Sequence, residues 1–165
     1  MTDNFIKLNK SDLLRLDIKT NEGIDTGEFL EFDLEDIELP LKYQELIEKD
    51  KKNKEQLRNQ LLIIDKRQDV KGKKLMSKNQ EDKIRALNEF YKKEEEVYDM
   101  FLGENGVKKL LNGRKLGWTS LQEIDEIIAT QIAPHIDIKT DKIIEKVKQK
   151  YQEAVDRTKD LGVIE

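Results

Sequence analysis

The side chains in this sequence that could take part in catalysis are few and scattered. The single histidine, His135, lies two residues before Asp137, and the chain contains no cysteine. A His–Asp pair supports nucleophilic catalysis only where the fold adds a nucleophile, and no pattern marks Ser11, Ser77 or Ser120 as one. One histidine without cysteine also argues against a zinc site. We therefore expect no catalytic residue, no bound metal and no cofactor.

Two further motifs resemble ligand sites only superficially. The acidic residues Asp33, Glu35, Asp36 and Glu38 lack the glycine-containing loop of a calcium-binding hand. An acidic strand end, with Asp36 available as a helix cap, explains them better. Residues 103–106 precede two lysines, but they lack the Gly-Lys-Ser/Thr ending and the buried strand of a phosphate-binding loop. Neither motif predicts a cation or nucleotide site.

The composition favours an extended or self-associating helical protein over a compact globule. Of the 165 residues, 40% are charged and 36% are hydrophobic, and the mean hydropathy is −0.78. This length suits one domain, residues 1–165. The first ten residues lack the apolar segment of a secretion signal, and no run approaches the roughly 18 apolar residues of a membrane span. We therefore expect a cytoplasmic protein.

Positive charge is concentrated in the middle of the chain. Residues 41–78 carry 12 basic and 6 acidic side chains, whereas the net charge of the whole chain is −4. Single-strand nucleic-acid binding would require aromatic rings among these cations, and Tyr43 is the only one present. A solvated helix face is the better interpretation, so nucleic acid is not an expected partner.

The elements that would position functional side chains are organised around residues 79–102. Apolar residues recur there at intervals of three and four, which is the spacing of one helix face. They are Ile84, Leu87, Phe90, Tyr91, Val97, Tyr98, Phe101 and Leu102. Ser77 or Asn79 is expected to cap this helix. The stripe predicts a core or an interface with a partner and indicates no chemistry.

A β-hairpin is predicted at the start of the chain, within residues 1–39. Apolar and charged residues alternate from Leu14, turn residues occupy positions 20–23, and an aromatic run ends at Phe32. A two-stranded ribbon is marginal in water. We therefore expect it to pack on helices or to pair with another chain.

Helices are predicted through residues 40–160. Pro40 suits the first turn of a helix that ends near Ile64, and its polar middle, residues 48–56, is expected to be exposed or broken. A mobile basic loop follows at about residues 65–78, where glycine and lysine interrupt the apolar spacing.

Further helices are predicted beyond the central one. A short apolar helix at residues 107–111 precedes a longer one, for which capping-box patterns begin at Thr119 and Ser120. Pro134 interrupts or bends this longer helix, and the last helix covers about residues 141–159. The predicted fold is mainly α, with an N-terminal β-hairpin followed by a bundle of amphipathic helices.

The segment from Phe101 to Gly113, FLGENGVKKLLNG, combines the end of an aromatic helix, a glycine-rich turn and a short apolar helix closed by glycine. With the preceding hairpin and the acidic segment ending at Pro40, this order of elements resembles the small tail assembly chaperones of long-tailed bacteriophages and prophages of Gram-positive bacteria. The resemblance covers about residues 14–132. Asn105 stands where the family pattern favours glycine.

The resemblance implies a non-enzymatic protein of the host cytoplasm that keeps the tape-measure protein, the tail-tube protein or both soluble until the tube polymerises. A client rich in coiled coils exposes apolar heptads, which amphipathic helices can cover. The residues expected to bind this partner are Tyr91, Tyr98, Phe101, Leu102 and Trp118. A place in the intramolecular core is the alternative for each. We also expect a homo-oligomer.

Two other classes of protein remain open at this stage. A small structural component of the virion or neck would use the hairpin to extend the sheet of a ring. A helical nucleic-acid-associated regulator would use the basic residues between Lys42 and Lys78. Co-purification with the tape measure, presence in purified particles and salt-sensitive DNA retention distinguish the three classes.

Overall fold

The computed structural model describes residues 12–162 together with Asn4 and Ile6. Its elements in chain order are β1 (Leu13–Lys19), β2 (Asp25–Asp33), α1 (Leu39–Asp65), α2 (Lys78–Leu102), α3 (Gly106–Leu111), α4 (Trp118–Ile127), a π-helical turn (Ile128–Ile132) and α5 (Ala133–Asp160). The predicted fold class is confirmed: the chain is mainly helical and begins with a β-hairpin. The other residues of the predicted hairpin region, and residues 163–165, lie outside the described part.

β1 and β2 form the predicted antiparallel hairpin. Leu14 pairs with Phe32 and Leu16 with Leu30, so apolar residues of both strands share one face. At the turn, the Gly23 amide donates to the Thr20 carbonyl at 2.9 Å, and Gly23 adopts a φ of 82° that suits glycine. The shared face is covered by helices, since Leu30 and Phe32 are buried. The expected support from helices is confirmed.

α1 and α2 pack against each other as an antiparallel helical hairpin. Contacts run in opposite directions along the two helices, from Lys49 with Met100, through Asn53 with Glu94, to Asp65 with Lys83. α1 is continuous, and of the two outcomes expected for residues 48–56, exposure or a break, exposure is confirmed at six of the nine positions. Three residues of that polar stretch, Asp50, Asn53 and Lys54, are partly buried, because they face a buried carboxyl on α2.

The connection between α1 and α2 is closed by polar side chains. Ser77 caps α2: its hydroxyl accepts the Gln80 amide at 3.2 Å, and the Gln80 side chain accepts the Ser77 amide at 3.0 Å. The Asn79 side chain donates to the carbonyls of Ile64 at 3.1 Å and Arg67 at 3.0 Å. Of the two predicted caps, Ser77 is therefore the cap, and Asn79 ties the end of α1 to α2.

Replacing Asn79 with alanine is expected to lower the free energy of unfolding by about 1–3 kcal/mol, because two carbonyls at the end of α1 lose their buried donor. Asn88→Ala is the matched control, since Asn88 is exposed on the same helix. We expect the control to stay within about 0.5 kcal/mol of the wild type. Urea unfolding followed by circular dichroism measures both, and equal losses in the two variants would contradict this role for Asn79.

The turn between α2 and α3 explains how asparagine fits where glycine was favoured. Asn105 adopts left-handed backbone with a φ of 57°, a conformation that asparagine tolerates better than most residues. The next residue, Gly106, must be glycine, because the Cβ of any other residue would lie 2.5 Å from the Leu102 Cβ. The turn is fixed further by the Val107 amide, which donates to the Asp99 side chain at 2.9 Å.

The last part of the chain departs from the predicted boundaries. α4 begins at Trp118 with Gly117 as its N-cap, and so neither Thr119 nor Ser120 is the cap. α5 begins at Ala133, well before the predicted start at residue 141. Pro134 therefore lies in the first turn of α5, where its missing amide costs no intrahelical hydrogen bond. The preceding π-helical turn accommodates the proline, which changes the helix locally and does not end it.

Candidate partner-binding site

Three of the five residues predicted to bind a partner lie in the core. Tyr98, Phe101 and Leu102 expose 1%, 3% and 4% of their surface. The Phe101 ring lies 5.5 Å from that of Phe32 and 5.6 Å from that of Tyr43, so it joins the hairpin to both long helices. The intramolecular alternative therefore describes these three positions in this structure, because the amphipathic face of α2 is covered by the chain itself.

The other two predicted residues remain closer to the surface. Tyr91 is partly buried, and its ring packs 5.3 Å from that of Phe90. Trp118 is 48% exposed at the first position of α4. The five residues consequently form no single surface, and Trp118 is the member most available to another molecule.

Trp118 lies beside an open apolar groove between α1, α2 and α4. The groove has a volume of about 380 Å³, and its lining residues are Lys54, Leu57, Arg58, Leu61, Leu62, Leu87 and Trp118. Five of these seven side chains are apolar, and the two cations both come from α1. We call this surface the Trp118 groove. Its size and lining are those of a site for apolar side chains from another molecule.

Helical spacing explains how the Trp118 groove forms. Leu57 and Leu61 are four residues apart on α1, so they lie on one side of that helix. Leu87 of α2 contributes the opposite side, because the two helices run antiparallel. At the end of the groove, Trp118 is fixed by the start of α4, where the Gly117 amide donates to the Ser120 hydroxyl at 2.8 Å and that hydroxyl donates to the Gly117 carbonyl at 3.1 Å.

Lys54 connects the groove to a polar cluster between the same three helices. Its ammonium lies 5.9 Å from the centre of the Trp118 ring, 2.9 Å from Asp50 and 3.8 Å from Asp125. Burial alone would lower the pKa of Lys54, but the hydrogen bond and charge of Asp50, with the charges of Asp125 and Glu94, raise it above its usual value. Lys54 is therefore held as a cation at the rim.

Glu94 is the central residue of this polar cluster. Its side chain is fully buried and accepts a hydrogen bond from Asn53 at 2.9 Å. Burial, together with a hydrogen bond to Asp50, raises the pKa of Glu94 to about 8. Glu94 Oε2 and Asp50 Oδ1 have no other partner among the described residues. These facts agree if protonated Glu94 donates to Asp50, so that one proton satisfies both buried oxygens.

Tyr98 connects the polar cluster to α4. Its hydroxyl donates to the Asp125 carboxylate, and burial with this hydrogen bond raises the pKa of Tyr98 well above its usual value. The cluster therefore joins α1, α2 and α4 and shares Lys54 with the Trp118 groove. Sequence reasoning did not find Glu94, because a run of three glutamates on a helix is ordinarily a solvated face.

The residues first considered for chemistry have structural roles or lie apart. Ser77 and Ser120 form hydrogen bonds at helix starts, Asp33 and Asp36 accept amides of nearby turn residues at 3.0 Å, and His135 is exposed on α5. Ser11 lies outside the described residues. Residues 12–162 contain no group of three or more His, Cys, Asp or Glu side chains placed to hold a metal ion.

Comparison with known proteins adds no relative to this description. No family model, curated protein or solved structure matches the chain. Within the described part of the chain, none of the helices combines the length and the apolar character that a membrane span requires.

Proposed function

We propose that this protein is a non-enzymatic tail assembly chaperone that keeps the tape-measure protein, the tail-tube protein or both soluble in the host cytoplasm during phage tail assembly. The observation that carries the proposal is the Trp118 groove, an apolar site left open in a chain whose other large aromatic side chains mostly serve its own core. The resemblance of the order of elements to that of tail assembly chaperones supports the choice of client.

The lining of the groove favours an amphipathic helix as the bound segment. Its apolar floor, formed by Leu57, Leu61 and Leu87, would cover the apolar face of such a helix. Lys54 and Arg58, one helical turn apart on α1, would face acidic side chains beside that apolar face. Trp118 is the anchor residue, because buried tryptophan dominates the energetics of many interfaces.

The double variant Trp118→Ala with Leu62→Ala tests this proposal. Both side chains are about half exposed, at 48% and 47%, so their removal should spare the fold. We expect the variant to recover at least about tenfold less soluble tape-measure or tail-tube protein on co-expression, because two anchor contacts are lost. Ile47→Ala with Ile84→Ala is the matched control, since both residues are 51% exposed and lie outside the groove.

Equal recovery of client with the groove variant and with the control variant would contradict the proposal. Circular dichroism and thermal unfolding establish that both variants are folded. Salt-sensitive retention on DNA without any effect of the groove variant would instead support the nucleic-acid-associated alternative.

A structural role in the virion or neck is the second candidate function. The observation that favours it is the hairpin, whose two strands form a sheet with no third strand in residues 12–162. Such an edge can accept a strand from another subunit. Recovery of the protein from purified particles in stoichiometric amounts would support this candidate over the chaperone.

A further inference from the structure

The second half of α5 is a helix with little support from the rest of the protein. From Asp141 to the helix end at Asp160, all residues are exposed except the partly covered Ile143, Val155 and Thr158. Most of the stability of a helix in a protein comes from packing of its apolar face, which this segment lacks. Its surface is therefore accessible to a partner.

The exposed part of α5 carries apolar residues at alternating intervals of three and four. Ile144, Val147, Tyr151 and Ala154 follow this spacing, and Thr158 continues it. Ile144, Val147 and Tyr151 are 44%, 63% and 71% exposed. This is the heptad pattern by which one helix packs against another in a coiled coil. We call these five residues the α5 seam.

Between Ile144 and Thr158, the charges that flank the α5 seam are all positive. In the heptad, the positions that flank the seam hold Lys148, Lys150 and Arg157, with Ile143 and Val155 as their apolar neighbours. Four carboxylates, Glu145, Glu153, Asp156 and Asp160, occupy outer positions of the heptad, and Asp141 holds a flanking position one turn before the seam begins. A helix that packs on the seam would therefore meet cations on both sides.

We propose that the α5 seam binds a helix of another protein whose own heptad seam is flanked by acidic side chains. Flanking charges set the choice of partner in coiled coils, and three cations on α5 would pair with carboxylates on such a helix. The inference depends only on α5, whose residues do not line the Trp118 groove, and it holds whichever client the groove takes.

Neither a second copy of the chain nor a membrane fits the seam as well. Between Ile144 and Thr158, a second copy would bring the same cations to the flanks and no carboxylate to pair with them. A helix that lies in a bilayer surface presents a broad apolar face with a cationic opposite face. The outer face of α5 instead mixes lysines with four carboxylates, so it is not a cationic face.

Two of the flanking cations have weak intramolecular partners that leave them available. Lys150 and Arg157 lie 3.7 and 3.9 Å from the same carboxylate, Glu153, and their side chains are 83% and 79% exposed. Exposed ion pairs of this kind contribute little to stability. Exchange of Glu153 for the carboxylates of a partner therefore has a small cost.

Binding of two synthetic helical peptides to the full chain tests this inference. Both peptides carry leucine at the seam positions of three heptads, and the flanking positions are all glutamate in one and all lysine in the other. By fluorescence anisotropy at low salt, we expect the glutamate peptide to bind at least about tenfold tighter, with a preference that shrinks as salt screens the charges. Tyr151→Asp should abolish binding of the glutamate peptide.

Charge-reversal variants distinguish the effect of the flanking cations from the effect of the total charge of the helix. Lys150→Glu with Arg157→Glu should reverse the preference between the peptides, whereas Lys146→Glu with Lys159→Glu, which makes the same change at outer positions, should leave it unchanged. The groove variant Trp118→Ala with Leu62→Ala should bind the peptides as the wild type does. A failure of the groove proposal can therefore be distinguished from a failure of this inference.

Three results would overturn the inference. One is equal binding of the two peptides, or binding of neither. Another is a concentration-dependent dimer, measured by sedimentation, that Tyr151→Asp dissociates, because the seam would then be occupied by a second copy. The third is seam-dependent binding to vesicles of anionic lipid with no preference between the peptides.

Discussion

Replacement of Phe101 with alanine is expected to lower the free energy of unfolding by about 3–5 kcal/mol, which is the range for removal of a fully buried aromatic ring. Phe101 is 3% exposed and contacts the rings of Phe32 and Tyr43. Its loss leaves a cavity where the hairpin, α1 and α2 meet. Urea unfolding followed by circular dichroism measures the change.

Two further variants make the Phe101 prediction specific. Phe101→Leu retains most of the side-chain volume and should lose less stability than Phe101→Ala; it also provides a measurement if the alanine variant fails to fold. Tyr151→Ala removes an aromatic ring that is 71% exposed and should change stability by no more than about 0.5 kcal/mol. Similar losses for Phe101→Ala and Tyr151→Ala would contradict the assigned core.

Stability is expected to fall as the pH rises from about 4.5 to about 8, because the buried Glu94 keeps its proton in the folded protein while the same group loses its proton in the unfolded chain. Its pKa is raised from 4.5 to about 8 in the folded protein. Below pH 4.5 the group is protonated in both states, and its contribution is fully present. Between pH 4.5 and 8 the folded protein binds a proton that the unfolded chain does not, so stability decreases with rising pH. Above about pH 8 this decrease ends.

Glu94→Gln is the variant that isolates this effect. Glutamine can accept the hydrogen bond from Asn53 and donate to Asp50 without titrating, so its melting temperature should change much less between pH 6 and pH 9 than that of the wild type. Glu96→Gln is the matched control, since Glu96 is exposed on the same helix. A wild-type slope that persists in Glu94→Gln would show that another group is responsible. The lowered pKa of Asp69 and Glu81 acts at acid pH and does not affect this range.

The elements that could be predicted are those specified by neighbouring residues. The apolar spacing of α2, the alternation and turn residues of the hairpin, and the Ser77 cap all depend on residues within a few positions of each other. Pro134 was harder, because proline both ends helices and suits their first turn. The choice between those roles depends on the tertiary surroundings of Pro134, which neighbouring residues do not specify. The predicted start of α5, at residue 141, was therefore wrong.

The candidate site depended on contacts between distant parts of the chain and could be predicted only at Trp118. Apolar stripes on α2 indicate burial but do not say whether the same chain or a partner supplies the other side, which is why Tyr98 and Phe101 were predicted for an interface. Glu94 is buried because the antiparallel pairing of α1 and α2 places Asn53 and Asp50 against it. The rotation of α1 and α2 about their axes and the register between them are not specified by the sequence of either helix alone.

The central claim, that the Trp118 groove receives the apolar face of a partner helix, is tested most directly by tryptophan fluorescence. Trp118 is the only tryptophan in the chain, so the emission of the protein reports this site alone. The probe is an amphipathic helical peptide taken from a tape-measure protein. The peptide contains no tryptophan, and it is titrated into the full chain.

We expect a saturable shift of the emission to shorter wavelength, because a Trp118 side chain that is 48% exposed becomes covered by apolar side chains. Leu62→Ala should weaken the apparent affinity, and Ile84→Ala should not. An emission spectrum that stays unchanged while the peptide binds, as measured independently by calorimetry, would contradict the account.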